Sequence, residues 1–274
     1  MLQLTKRTQD RRNGSLFLLG RIKKMAAASN NSSFPFFDSI HMRPLDGTMV
    51  ELSGEDLKTA EKITKVVKEF SEKLNLTESR VVLSNNPDWA SLFSFLPIPL
   101  KCFSEETQDK IHQANRFPLN KETREALDRI TLRERKVFTS FSDDELKWIV
   151  GHEMGHIYLS EHFKMLKSSS IEIDGKRVAS LKHDRAQERV CDFIATYLTS
   201  SKSGTRALEK EIVNNPNVNE NEENDYPSLA ERIEYLTNWG KDPRLSESFT
   251  ENLLLDIGGE DFQEAVKIYQ KYNR

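Results

Sequence analysis

The stretch Gly151-His152-Glu153-Met154-Gly155-His156 carries the pattern His-Glu-x-x-His. Residues four apart on an α-helix lie on one face, so His152 and His156 can aim both imidazoles at one ion. Imidazole nitrogens suit zinc, and a catalytic zinc needs three protein ligands and a water. Zinc brings the pKa of that water to about 7; Glu153, turned along the helix, can accept its proton as general base and deliver it to a leaving amine. The plain alternative is a surface helix with two solvated histidines. Gly151 and Gly155 count against it. A helix-interior glycine costs about 1 kcal/mol relative to alanine, and two beside two histidines point to close packing around a site.

A third ligand must come from elsewhere. The candidates are Glu188, Asp192, His183, Asp184, Glu161 and His162. His162 follows on the same helix and faces away, which makes it a solvated residue. Glu188 is better placed, on a second helix that also carries Asp192 four residues on. One of these carboxylates can bind the metal while the other accepts a ring N–H from a ligand histidine and fixes its tautomer. Val190, Cys191, Phe193, Ile194 and Tyr197 make much of that helix apolar, which argues against a solvated acidic face.

The elements that must hold these residues are legible in outline. Ser142 and Glu145 form a capping box that starts the motif helix, which runs to about His162. The second helix spans roughly 183–200. Between them, Ile171–Val178 reads as a hairpin about Asp174-Gly175. Upstream, Ser53 can cap a helix with Glu55 and Asp56 in its first turn, and apolar residues from Leu57 to Phe70 recur at helical spacing to about Leu74. Arg80–Ser84 reads as a strand, 104–115 and 121–131 as helices, and Lys136–Phe141 as a second strand. Downstream come helices near 203–213 and 228–239, separated by an Asn/Glu-rich loop at 214–225. The last thirty residues read as helical, broken at Gly258-Gly259. The fold class expected is α+β, mainly helical, with a small sheet.

Composition narrows the function classes. In 274 residues, 37% are hydrophobic and 30% charged, with a net charge of −3, so the basic excess of a nucleic-acid binder is absent. No apolar run approaches the roughly 20 residues of a membrane span; the patch Leu92–Leu100 is short and broken by Pro97 and Pro99. Cys102 and Cys191 are too few for a disulfide framework; one disulfide is open to them, but the plainer reading is reduced thiols of a cytosolic protein, with Cys191 a small core residue. Residues 1–24 hold seven Lys or Arg and one acid, Asp10. That fits a disordered basic tail, or a transit peptide to the mitochondrial matrix. A shorter product could start at Met25. The division expected is a flexible basic tail and lead-in at 1–50, a metallopeptidase domain at 51–240, and a helical extension of it at 241–274.

Ser142-Asp-Asp-Glu-Leu-Lys-Trp-Ile-Val-Gly-His-Glu-Met-Gly-His156, followed by Glu188-x-x-x-Asp192, resembles the gluzincin peptidases of the HtpX and CAAX-prenyl-protease type. The likeness covers about residues 50–240. It implies a zincin-like domain and makes Glu188 the third zinc ligand, with Cys191 where the family has alanine. Tyr226-Pro-Ser-Leu-Ala-Glu-Arg-Ile-Glu-Tyr-Leu236 is similar to the family's later His-Pro…Glu-Arg-Ile…Leu segment, which puts Arg232 near the active site. Three departures stand out. Tyr226 replaces the histidine before proline, though a phenol can still bond a developing oxyanion. The span from His156 to Glu188 is short. The membrane helices of the integral members are missing, which implies a soluble substrate. The family's Asn-Ala-Phe-Ala segment is not recognisable near Trp89 and Phe93, and these read as core residues.

The expectation is therefore a cytoplasmic zinc metalloendopeptidase with one Zn²⁺ per chain, held by His152, His156 and Glu188. Glu153 is the base, Asp192 orients a ligand histidine, and Arg232 with Tyr226 assists the oxyanion. Its partner is a protein or peptide substrate. Two other classes remain: a zinc-stabilised binding or chaperone-like module, which would have no need of Glu153, and a small-molecule metalloamidase.

Overall fold

The computed structural model describes residues 32–38, 43–77, 79–86, 88–89, 94–115, 121, 125, 135–136, 138–162, 171–173, 176–178, 181–214 and 226–239. The basic tail, the Asn/Glu-rich stretch at 215–225, Phe93 and the C-terminal extension lie outside these residues, as does most of the helix expected at 121–131. The described chain is mainly helical with a small four-stranded sheet. No described helix is long and apolar enough to cross a membrane.

Strands β1 (Ser33–Asp38) and β2 (Arg43–Glu51) precede helix α1 (Gly54–Lys73); β3 (Arg80–Ser84) and β4 (Phe95–Ile98) follow. The sheet order is β2-β1-β3-β4, with β1 antiparallel to β2 and parallel to β3, and β3 parallel to β4. Only β3 was expected from the sequence; β1 and β2 fall in the stretch read as irregular lead-in. Their prolines explain the difference. Proline cannot donate to a ladder and is confined to edges and bulges. Pro35 sits where the β1–β2 register shifts, and Pro44 and Pro97 lie on the two edge strands.

Helix α1 turns Ala60, Ile63, Val66, Val67 and Phe70 inward at helical spacing. It ends where Asn75 takes φ 50, a left-handed conformation that asparagine tolerates. Ser53 holds the N-cap position without a side-chain hydrogen bond. The buried Asp56 instead accepts from Ser104 at the start of α2 (Glu105–Ala114), N–H to carboxylate at 3.0 Å and 3.1 Å, and from the Ser104 hydroxyl. The strand expected at Lys136–Phe141 is not formed: residues 135–136 and 138–140 are helical. Phe138 and Phe141, three apart, both pack on the core, a spacing that suits a helix and not an alternating strand.

Helix α3 (Asp143–His162) carries the motif. The capping box forms in both directions: the Ser142 N–H donates to Glu145 Oε2 at 2.6 Å, and the Glu145 N–H to Ser142 Oγ at 3.4 Å. The hairpin β5 (Ile171–Ile173) and β6 (Lys176–Val178) pairs Ile173 with Lys176 across the expected turn. Helices α4 (Leu181–Leu198), α5 (Ser201–Asn214) and α6 (Leu229–Trp239) complete the described chain. Val150, Met154 and Ile157 of α3 join Ile63 and Phe70 of α1, Leu83, Leu96 and Ile98 of the sheet, and Ile194 of α4 in one core.

Candidate metal centre

Two glycines set the distance between α3 and α4. A Cβ on Gly151 would meet the Ala195 Cα at 3.1 Å, and one on Gly155 the Cys191 Cα at 2.8 Å. Glycines four apart on α3 thus face Cys191 and Ala195, four apart on α4. This seam brings α4 close enough for Glu188, one turn before Cys191, to reach the histidine face.

His152 Nε2 lies 3.2 Å from Glu188 Oε2, and His156 Nε2 lies 3.2 Å from Glu188 Oε1. The ligand atoms of these three residues fall within 4.8 Å of one another and could hold a metal ion. A tetrahedral ion with bonds of about 2.0–2.2 Å sets its donors roughly 3.3–3.6 Å apart, and each histidine–carboxylate spacing of 3.2 Å lies near that range. Two imidazoles and one carboxylate are also the donor set of a known class of catalytic sites. Burial works to lower the His152 pKa, but Glu188 and Asp192 outweigh it and raise the ring to about 10. Burial works to raise Glu188, and the two histidines hold it well below the usual carboxylate range.

The other face of His152 is fixed just as firmly. Its Nδ1 lies 2.7 Å from Asp192 Oδ1. A carboxylate there calls for N–H on Nδ1, which leaves Nε2 as the nitrogen that would bind a metal. Asp192 is fully buried, and both its oxygens are bonded further. Arg232 donates from Nη2 to Oδ1 at 2.6 Å and from Nε to Oδ2 at 2.8 Å. The Tyr235 hydroxyl donates to Oδ2 at 2.6 Å. Burial alone would raise the Asp192 carboxyl; Arg232 and His152 hold it low.

Trp148, one turn before His152, braces this group. Its ring centroid is 5.9 Å from that of His152, and the Arg232 guanidinium lies 5.9 Å over it. The indole N–H donates to Thr196 Oγ1 at 3.3 Å. The same edge of the indole abuts Gly204, where a Cβ would fall 2.5 Å from Nε1 and Cε2.

The expected site residues therefore divide. His152, His156, Glu188, Asp192 and Arg232 form one connected group, and Glu153 is buried on the same helix. Arg232, expected to face an oxyanion, spends Nε and Nη2 on Asp192. Tyr226 is 59% exposed, and its carbonyl accepts from Arg185 Nη1 at 3.4 Å, so it is not joined to the group by these bonds. Glu161 accepts from the Thr77 N–H at 2.9 Å, away from the histidines' partners. The side chains of His162, His183 and Asp184 lie outside the described residues. Cys191 is buried in the seam and Trp89 packs on the core, as expected of both. Sequence reasoning missed Tyr235 and the brace at Trp148. The signal available for Tyr235 was its place three residues after Arg232, on the same helix face. No protein-family model, curated protein or solved structure matches this chain.

Proposed function

We propose that the chain is a zinc-dependent metalloendopeptidase of zincin-like fold, of the gluzincin type that its motifs resemble, acting on peptide bonds of soluble proteins. The observation that carries the reading is the meeting of His152 Nε2 and His156 Nε2 on the two oxygens of Glu188, 3.2 Å in each case. A zinc ion held there would supply Lewis acidity and acidify a water to a pKa near 7. Glu153 then takes the proton of the attacking water and passes it to the leaving amine, as a general acid–base worth about 10²–10⁴ in rate. Asp192 keeps the His152 proton on Nδ1 and so leaves Nε2 available. Arg232 serves by holding Asp192, and Tyr226 is the proposed partner of the developing oxyanion. A cytoplasmic setting belongs to the same proposal and is in keeping with Cys102 and Cys191, both free and buried.

The test is Glu153→Gln. It should keep one zinc per chain and lose peptide cleavage by about 10²–10⁴-fold. Cleavage at the wild-type rate would remove Glu153 from the mechanism. Cleavage of small amides but of no member of a peptide library would turn the reading to an amidase.

A further inference from the structure

The Asp192 carboxylate is fully buried and receives three partners: the His152 ring, the Arg232 guanidinium and the Tyr235 phenol. The first is a candidate metal ligand and the second a counter-charge. Charge balance does not call for the third. Arg232 already supplies one positive charge to one negative. Yet Tyr235 is built in with care. Its ring centroid lies 4.7 Å from that of Trp239, which meets Phe193 edge-on at 5.6 Å. The Arg189 guanidinium sits 5.7 Å from the Tyr235 ring and 6.0 Å from the Trp239 ring. Phe193 and Arg189 flank Asp192 on α4, so α6 is registered on the helix that carries the carboxylate. Burial and the Asp192 charge push the phenol pKa up, so it is a donor at every ordinary pH.

We infer that Tyr235 is a positioning residue of the metal centre: its O–H fixes Asp192 Oδ2, and Asp192 so held fixes the plane and tautomer of the His152 ring. The inference rests on the proposed metal site and adds a third layer to it. Arg232 bridges both oxygens from one side and restrains the carboxylate along that edge. The phenol, from a different residue, adds a second donor to Oδ2. It also draws charge from Oδ2, which moderates the pull of Oδ1 on the His152 N–H and sets the basicity of the ligand nitrogen. Direct partners of metal-ligating histidines are typically worth 10–100-fold in metal affinity or activity. One bond further out, the lower end of that range is expected.

The experiment compares Tyr235→Phe with Tyr235→Gln in the full chain. Phe keeps the stacked ring and loses the donor; Gln keeps a donor and loses the ring. Zinc affinity is read by competition with a chromophoric chelator, and ligand geometry from the visible spectrum of the cobalt-substituted protein. A positioning hydrogen bond predicts that Phe weakens zinc binding about tenfold and shifts the cobalt bands, while Gln stays nearer wild type in both. If Phe binds zinc like wild type, or Gln is the weaker of the two, Tyr235 acts only through packing and the inference is overturned. Should either variant fold poorly, the affinity is read on the folded fraction isolated by size exclusion, and the same ordering decides. Wild-type protein that binds no zinc would instead sink the metal site itself.

Discussion

Helix α3 carries two buried charged clusters two turns apart, and they are built on opposite principles. At its start, Glu145 accepts the Ser142 N–H and meets Lys210 Nζ at 2.6 Å, while the same ammonium donates to the Ser140 carbonyl at 2.7 Å. One anion meets one cation and the backbone donors that a helix start leaves unpaired. That cluster satisfies itself. Farther along, two imidazole nitrogens turn toward the two oxygens of Glu188. All four are lone-pair atoms unless protons sit on the rings, and His152 holds its proton to about pH 10, Glu188 and Asp192 overcoming the lowering effect of burial. This second cluster gathers its ligand atoms around one place, where a metal ion could sit. The difference separates a self-contained polar cluster from a candidate metal site: the first closes on its own members, the second converges on a point.

The largest expected effect tests that division directly. Glu188→Ala should abolish stoichiometric zinc and, with it, the stabilisation that zinc gives the fold. At a free zinc concentration about a hundred times its Kd, that stabilisation is about 2.7 kcal/mol, or roughly 5–10 °C in Tm for a chain of this size. The comparison is broken if the variant still gains those degrees on adding zinc, and the third ligand would then be sought at Asp192 or His183. Next in size is Gly155→Ala. The new methyl would lie 2.8 Å from the Cys191 Cα, so the helices must part, at a cost of about 1–3 kcal/mol. Higher helix propensity returns about 1 kcal/mol. Parting α3 from α4 also draws Glu188 off the histidines, so zinc affinity should fall with stability. Gly151→Ala, with 3.1 Å to the Ala195 Cα, should be milder on both counts. Thermal melts with and without zinc, beside chelator competition, distinguish the two glycines.

The two clusters also differ in how far the sequence foretells them. The capping box is four consecutive residues, and the histidine pair shares one helical turn, so local periodicity suffices for both. Glu188 and Asp192 are read the same way, as a spaced pair on an apolar helix. What escapes is whatever depends on pairing across the fold. Tyr235 meets Asp192 only because α6 docks on α4, and no spacing rule joins residues 43 apart. The role of Arg232 turns on the same docking, which directs its guanidinium to a carboxylate. Strands β1 and β2 were hidden by prolines that only the finished sheet places at a bulge and an edge. Residues 136–141 show the opposite failure. Val137, Thr139 and two phenylalanines favour a strand by type, yet residues 138–140 are helical, and Phe138 and Phe141 both pack on the core.

The smallest effect sharpens the comparison from the structural side. Glu145→Gln removes the charge that Lys210 and Ser142 share and should cost about 0.5–2 kcal/mol at pH 7, the range for a lost helix cap. The sign of its pH dependence follows from the carboxyl. Burial raises its pKa, but Lys210 and Ser142 outweigh burial and hold it below the ordinary glutamate value. A carboxylate depressed by folding contributes stability that is fully present above its unfolded pKa and fades as pH falls through the folded value. The gap between wild type and Glu145→Gln should therefore be constant from neutral pH down to about 4.5 and narrow below it. Urea melts of both zinc-free proteins across that window measure it. Zinc affinity at neutral pH should stay within about twofold of wild type, because a self-satisfied cap has no share in the convergent site two turns on. If zinc affinity fell in step with stability, the two clusters would be one coupled network, and the separation of structural from functional charge along α3 would have to be given up.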